Sequence, residues 1–212
     1  MLKEECSRLD PRVRRTRQLL HEALRKLLEQ KRFDDITIQD ITEAATLNRA
    51  TFYAHYPDKF ALLGELIRLT FLQLLDQRNV RWDGTCSSAF QAIILAVCDY
   101  LLEVQKSRSS DRLQFEPFVE ATVIDQIRLI LLEGFRRHPE EERRISYEMI
   151  AATASWAIYG AVKQWVDTPN RPPAEEFVST AIELVQPVMS AGAIPAPSAP
   201  SVVSAAPVPS QS

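Results

Sequence analysis

The chain has 212 residues, 46% of them hydrophobic and 25% charged, with a formal net charge of −3. This is an ordinary globular composition, sufficient for one large core or two small ones. No apolar run reaches the roughly 18 residues of a membrane span, and MLKEECSRLD lacks the apolar region of a secretory signal, so a cytoplasmic protein is expected. Only 5 Gly are present, so a mostly helical chain is expected. Cys6, Cys86 and Cys98 are odd in number and lack metal-ligand spacing, which points to reduced thiols. The average charge hides an asymmetry. Residues 1–60 hold 12 Lys and Arg against 10 Asp and Glu, and the remainder holds 13 against 18. Arg12, Arg14, Arg15 and Arg17 cluster in the basic part, a pattern suited to phosphate contact.

Asp10 and Pro11 open a first helix, one as cap and the other at the first helical position. Val13, Leu20, Leu24 and Leu27 share a face, and the helix is expected to end near Lys31 and Arg32. Phe33 and Ile36 are expected to plug a small core. Thr37 caps a second helix, with Asp40 at the capping-box position and Ile38, Ile41 and Ala45 as the buried stripe. Thr46 and Leu47 make a turn, and Asn48 caps a third helix through the amide of Thr51 or its neighbour. Phe52 and Tyr56 are four apart and can both face inward, leaving Arg49, Thr51, Tyr53 and His55 on the outer arc. A short helix that offers polar, cationic and aromatic side chains near its N-terminus suits a DNA major groove.

Pro57 and Asp58 start a fourth helix, to about Asn79, apolar nearly all round and therefore buried on two sides. A break at Arg81–Gly84 precedes a fifth helix from Ser87 or Ser88. A sixth is expected to start at or near Pro117 and run to about Arg137. The acidic run Glu140–Glu142 is expected to open a seventh helix, which reaches Trp165. Along it Ile145, Met149, Ala152, Trp156, Tyr159 and Lys163 form one stripe, and Ala151, Ala154, Ala157 and Ala161 form a small-residue face. The last helix spans about Ala174 to Met189. From Ala191 onward the Ala, Pro, Ser and Val tail carries no charge and is expected to be disordered. The predicted fold class is all-α. Residues 1–60 would form a helix-turn-helix domain and residues 61–190 a larger effector-binding and dimerisation domain, with residues 191–212 as the tail.

The segment Ile36 to Leu63, ITIQDITEAATLNRATFYAHYPDKFALL, closely resembles the TetR/AcrR family of bacterial transcriptional regulators. The resemblance extends over Val13 to Leu66. Beyond it lie helix order and the stretch Ala157 to Trp165, AIYGAVKQW, similar to the C-terminal domain of a subgroup. Thr46 stands where the family usually has Gly, and Ala50 replaces another common Gly, which should stiffen the recognition helix. The resemblance implies base contacts from Arg49 and Ala50, and a base or phosphate contact from Gln39. It implies phosphate contacts from Thr37, Thr51, Tyr53, His55 and Lys59. Asn48 and Tyr56, a cap and a packing aromatic, complete the DNA-binding candidates. A cation such as Lys59 is unfavourable at a helix start, and a docked phosphate would reverse that cost.

The resemblance further implies a homodimer on a double-stranded operator, paired through the last two long helices, with the small-residue face suited to the contact. An effector pocket would lie between the fourth and later helices. Its candidate walls are Phe71, Phe90, Ile94, Leu101, Phe118, Ile127, Met149, Thr153, Trp156 and Tyr159, which suit a lipophilic or aromatic ligand. The expected function is a ligand-responsive regulator, a repressor released from its operator by that effector. No nucleophile–base pair, metal cluster or glycine-rich phosphate loop is evident, so neither catalysis nor a cofactor is expected. A helical interaction adaptor without DNA binding is the alternative from another class.

Overall fold

A computed structural model of the protein describes residues 10–80, 82, 86–106, 112–137 and 144–191. Cys6, the acidic run Glu140–Glu142 and the Ala/Pro/Ser tail past Ala191 lie outside the described residues. The described residues form eight helices and no strand: α1 (Pro11–Leu28), α2 (Ile38–Ala44), α3 (Arg49–Tyr53), α4 (Lys59–Gln77), α5 (Ser87–Lys106), α6 (Arg112–Arg137), α7 (Tyr147–Asp167) and α8 (Ala174–Met189).

Local chemistry sets most of the boundaries. Asp10 accepts from the amide of Arg12 at 2.8 Å, and Pro11 opens α1. The helix stops at Leu28, short of the expected Lys31. Lys31 instead lies past the end and pairs with Asp40 at 2.8 Å, tying the loop to α2. This contact and the Thr37 hydrogen bonds hold the Asp40 carboxyl well below the usual carboxylate range. Asp58 caps α4 by accepting from the amide of Ala61 at 2.8 Å. The sixth helix starts five residues before Pro117, because a proline near a helix N-terminus removes only one interior hydrogen bond. α7 begins at Tyr147, later than expected, because Ser146 supplies its cap by accepting from the amide of Met149.

α1, α2 and α3 pack around Leu20, Leu24, Phe33, Ile36, Ile41 and Phe52, all essentially inaccessible. α4 packs on α1 on one side and on α5 and α6 on the other, which explains its all-round apolar sequence. α6, α7 and α8 complete the larger helical part with α5 at its centre. α5 is long and apolar enough to cross a membrane by length and composition, although no uninterrupted apolar run of that length was expected. Half of its apolar stretch is buried inside the protein.

Tyr100 and Phe71 meet edge to face at 5.8 Å, and burial pushes the Tyr100 hydroxyl far above the usual tyrosine range. The Cys98 thiol is pushed up to about 12, first by burial and then by Asp99 beside it, so it is not a reactive thiolate.

Of the small-residue face of α7, Ala151 and Ala154 are fully buried within the chain, whereas Ala157 and Ala161 are half-buried. The outward stripe is instead Met149, Thr153, Trp156 and Gly160, spaced by four, three and four residues. Met149 and Trp156 are 62% and 58% exposed, and Leu184 on α8 is 64% exposed.

Candidate nucleic-acid interface

The helix pair α2–α3 is built from reciprocal caps. Thr37 Oγ1 accepts from the amide of Asp40 at 3.1 Å, and Asp40 Oδ2 accepts from the amide of Thr37 at 2.7 Å. α2 ends in a Schellman turn: the amide of Leu47 donates to Thr42 O at 2.9 Å and that of Thr46 to Glu43 O at 3.0 Å. This turn places Thr46 in the left-handed region, at φ 56°. A β-branched residue is strained there by roughly 1–2 kcal/mol. Thr46→Gly is therefore expected to raise stability by about 0.5–1 kcal/mol, after the larger chain entropy of Gly is counted. Urea denaturation with an unchanged slope and a higher midpoint would show it.

Asn48 Oδ1 accepts from the amide of Thr51 at 2.7 Å and from its hydroxyl at 2.8 Å, which starts the five-residue α3. Phe52 points into the core, so the opposite arc of α3 faces outward. Arg49, Ala50 and Tyr53 are exposed there, with Thr51 and His55 half-buried at its edges. Arg49 Nη2 donates to the Tyr53 hydroxyl at 3.3 Å, and its guanidinium lies 5.7 Å from that ring centre. Both side chains thus present one polar surface. Thr37, Gln39 and Asn48 are exposed on the same helix pair, and Gln39 donates to Glu43 at 2.8 Å.

Two of the residues expected at the interface sit elsewhere. Tyr56 is buried, and its hydroxyl donates to Glu65 Oε2 at 2.5 Å and lies 3.0 Å from His21 Nε2. Burial and the Glu65 hydrogen bond push the Tyr56 hydroxyl far above the usual range. It is a packing and joining residue at the α1–α4 contact. Lys59 Nζ donates to three carbonyls, Phe33 O at 2.9 Å, Asp34 O at 3.1 Å and Ile36 O at 2.8 Å. All three ammonium protons are taken. These carbonyls, rather than a phosphate, offset a cation at the start of α4, and Lys59 clamps the α1–α2 loop.

The joint beneath α3 also contains residues that sequence reasoning passed over. Glu65 accepts from Arg17 Nη1 at 3.3 Å, and Arg68 Nη2 lies 3.9 Å from the same oxygen. Glu65 and Arg68, charged residues within the apolar run Phe60–Leu75, were the available signal for this site. His21 is buried here, and desolvation lowers its pKa, opposed by Glu65 and aided by Arg17, Arg25 and Arg68. A histidine depressed in the folded state contributes stability above its unfolded pKa of about 6.5, and that contribution is lost as pH falls through the lower folded value. Between pH 7 and the folded pKa, the protein should therefore lose more stability than its His21→Gln variant. Parallel denaturation curves across that range would contradict this.

The effector candidates divide in the same way. Phe71, Phe90, Ile94, Leu101, Ile127 and Tyr159 are buried in the larger helical part. Burial raises the Tyr159 hydroxyl to about 12, with Glu120 adding to the effect. Met149, Thr153 and Trp156 lie on the outward stripe of α7 and cannot line an interior cavity in this arrangement. Phe118 is 39% exposed and stacks on Phe60 at 5.5 Å, at the α4–α6 junction.

Residues 20–66 match the family model for bacterial regulatory proteins, tetR family. Over 79 residues the chain is 37% identical to the uncharacterized HTH-type transcriptional regulator YxbF of Bacillus subtilis (strain 168). That stretch is 37% of this chain and 21% of the Bacillus protein, so the chain spans about a fifth of that relative's length. Thermus thermophilus FadR, a TetR family transcriptional repressor solved with lauroyl-CoA, is similar at a TM-score of 0.50 and 20% identity, over 86% of this chain and all of that one. The dihydroxyacetone kinase operon activator DhaS is similar at a TM-score of 0.50 and 16% identity, over 82% and 96% of the two chains. At these identities the two structures establish likeness of fold. With its capped helix pair and the match from Leu20 to Leu66, the chain carries the N-terminal domain of the tetR family of bacterial regulatory proteins.

Proposed function

We propose that the protein is a DNA-binding transcriptional regulator that acts in the cytoplasm as a homodimer, a repressor released from its operator by a small lipophilic or aromatic effector. The observation that carries this reading is the outward arc of α3. Arg49, Ala50 and Tyr53 are exposed on a helix whose other side is anchored by the inaccessible Phe52. In this reading Arg49 and Ala50 meet base edges, with Gln39 beside them. Thr37, Asn48, Thr51, Tyr53 and His55 approach the backbone, while Tyr56 and Lys59 hold the reader in place from inside.

One five-residue helix reads too few base pairs for a specific site, so two chains would place paired readers about 34–36 Å apart. The outward apolar side chains of α7 and α8 support such a pairing. Of the buried effector candidates, Phe71 lies on α4 and Phe90, Ile94, Leu101 and Ile127 lie on helices packed against it, and α4 also packs on α1. An apolar ligand entering among them would displace α4 and alter the reader spacing, which supports release rather than recruitment. FadR was solved with lauroyl-CoA, an acyl-chain ligand that an apolar site of this kind would suit.

Arg49→Ala tests the reading. It should relax preference at one base position by about 1–3 kcal/mol while leaving non-specific binding nearly intact. Competition titrations against operator variants measure this. An equal loss on every sequence would remove Arg49 as a base reader.

A further inference from the structure

Arg49 and Tyr53 occupy the i and i+4 positions of α3, which bring two side chains together on one face. Both are exposed. The Tyr53 ring is anchored from below. It sits edge to face on the inaccessible Phe52, with ring centres 5.6 Å apart and planes at 88°. The Arg49 guanidinium lies 5.7 Å from the centre of the Tyr53 ring, and its Nη2 donates to the Tyr53 hydroxyl at 3.3 Å. The contacts therefore run in one line from core to surface: Phe52 fixes Tyr53, and Tyr53 holds Arg49. Among the described residues Arg49 has no ion pair, whereas Arg17, Lys31 and Arg78 each pair with a carboxylate.

A free surface arginine samples many rotamers, and that freedom is lost when its fork meets a base. A neighbouring ring that restrains the guanidinium removes part of the loss before DNA arrives. The guanidinium carries five N–H donors, and the Tyr53 hydroxyl takes only one, so most remain for the paired O6 and N7 acceptors of a guanine. The Tyr53 hydroxyl accepts from Arg49 and keeps its own proton to donate. A phosphate oxygen can take that proton. A backbone contact at one end of the pair then fixes the reach of the base contact at the other.

We propose that Tyr53 is a positioning residue that sets base specificity, by holding the Arg49 fork where a guanine can meet it. The preference for that base then depends on Tyr53 without Tyr53 touching the base. The inference rests on the regulator reading and deepens it. A tyrosine that only contacted phosphate would strengthen binding to every sequence alike.

The test uses the full chain and duplexes flanking its own gene, with each base pair of the bound stretch varied in turn. The base pair read by Arg49 is the one whose substitution ceases to matter in Arg49→Ala. There the wild type is expected to prefer guanine by about tenfold or more. Tyr53→Phe keeps the ring but loses the hydroxyl, and should cut that preference about threefold. Tyr53→Ala loses both and should leave about twofold or less. In an Arg49→Ala background, Tyr53→Phe should leave every ratio unchanged. Without DNA, the order parameter of the Arg49 Nε–H bond, measured by NMR relaxation, should fall in Tyr53→Ala. Melting curves check the fold of each variant, and Tyr53→Phe decides if Tyr53→Ala does not fold. The proposal is overturned if the tyrosine variants weaken all duplexes by one factor and leave the guanine preference intact. It is also overturned if Arg49 is equally ordered with and without the Tyr53 ring, or if no base pair loses its effect in Arg49→Ala. Absence of binding to every duplex removes the regulator reading itself, and the proposal falls with it.

Discussion

Trp156→Glu is expected to leave the chain folded as a monomer and to weaken binding to a two-fold-symmetric duplex by about 100-fold or more. Trp156 is 58% exposed and shares its stripe with Met149, while Leu184 on the packed neighbour α8 is 64% exposed. Large apolar side chains grouped in this way mark an interaction surface rather than ordinary solvent exposure. Truncating a central interface Trp typically costs about 2–4 kcal/mol, and a carboxylate at the same place adds its own desolvation. In the isolated chain position 156 is mostly exposed, so folding is little affected. Sedimentation and duplex titration on the same sample separate the two effects. A variant that stays dimeric and binds as before places the pairing face elsewhere.

Phe52→Ala is expected to cost about 3–5 kcal/mol and to melt the N-terminal helices ahead of the rest. The ring is inaccessible and meets Tyr53 edge to face at 5.6 Å and Tyr56 at 6.0 Å. A five-residue helix cannot sustain itself in water, so α3 depends on this anchor. Calorimetry should show a new low-temperature transition, with duplex binding lost above it. Phe60 provides the comparison: it is 43% exposed, and Phe60→Ala should cost under about 1.5 kcal/mol. Similar losses in the two variants would contradict the assignment of Phe52 as the reader's anchor.

The features legible in the sequence were those decided within four residues. The caps by Asp10, Thr37, Asn48 and Asp58 are local hydrogen bonds, and each is present as the residue pattern required. The left-handed turn at Thr46 was signalled by the resemblance, which has Gly there, and the turn tolerates Thr. What escaped depends on partners distant in sequence. Lys59 reaches back more than 20 residues to the carbonyls of the α1–α2 loop, whereas the resemblance and its place at a helix start had suggested a phosphate. Tyr56 finds Glu65 and His21 only once α1 and α4 pack together. On α7, periodicity grouped the exposed Met149 and Trp156 with Tyr159, which is buried, and the buried Ala151 and Ala154 with Ala157 and Ala161, which are half-buried. It does not tell which face the same chain covers. Packing, not period, makes that choice.

The central claim is that the outward arc of α3 reads duplex DNA. Its most direct test is a fluorescence titration of the full chain with duplexes flanking its own gene, at about 50 and 200 mM salt. The predicted result is saturable binding by two chains per site, with affinity falling by a log–log slope of roughly −0.9 for each phosphate neutralised. Absence of binding to every such duplex, or affinity indifferent to salt, would contradict the account and favour a helical adaptor.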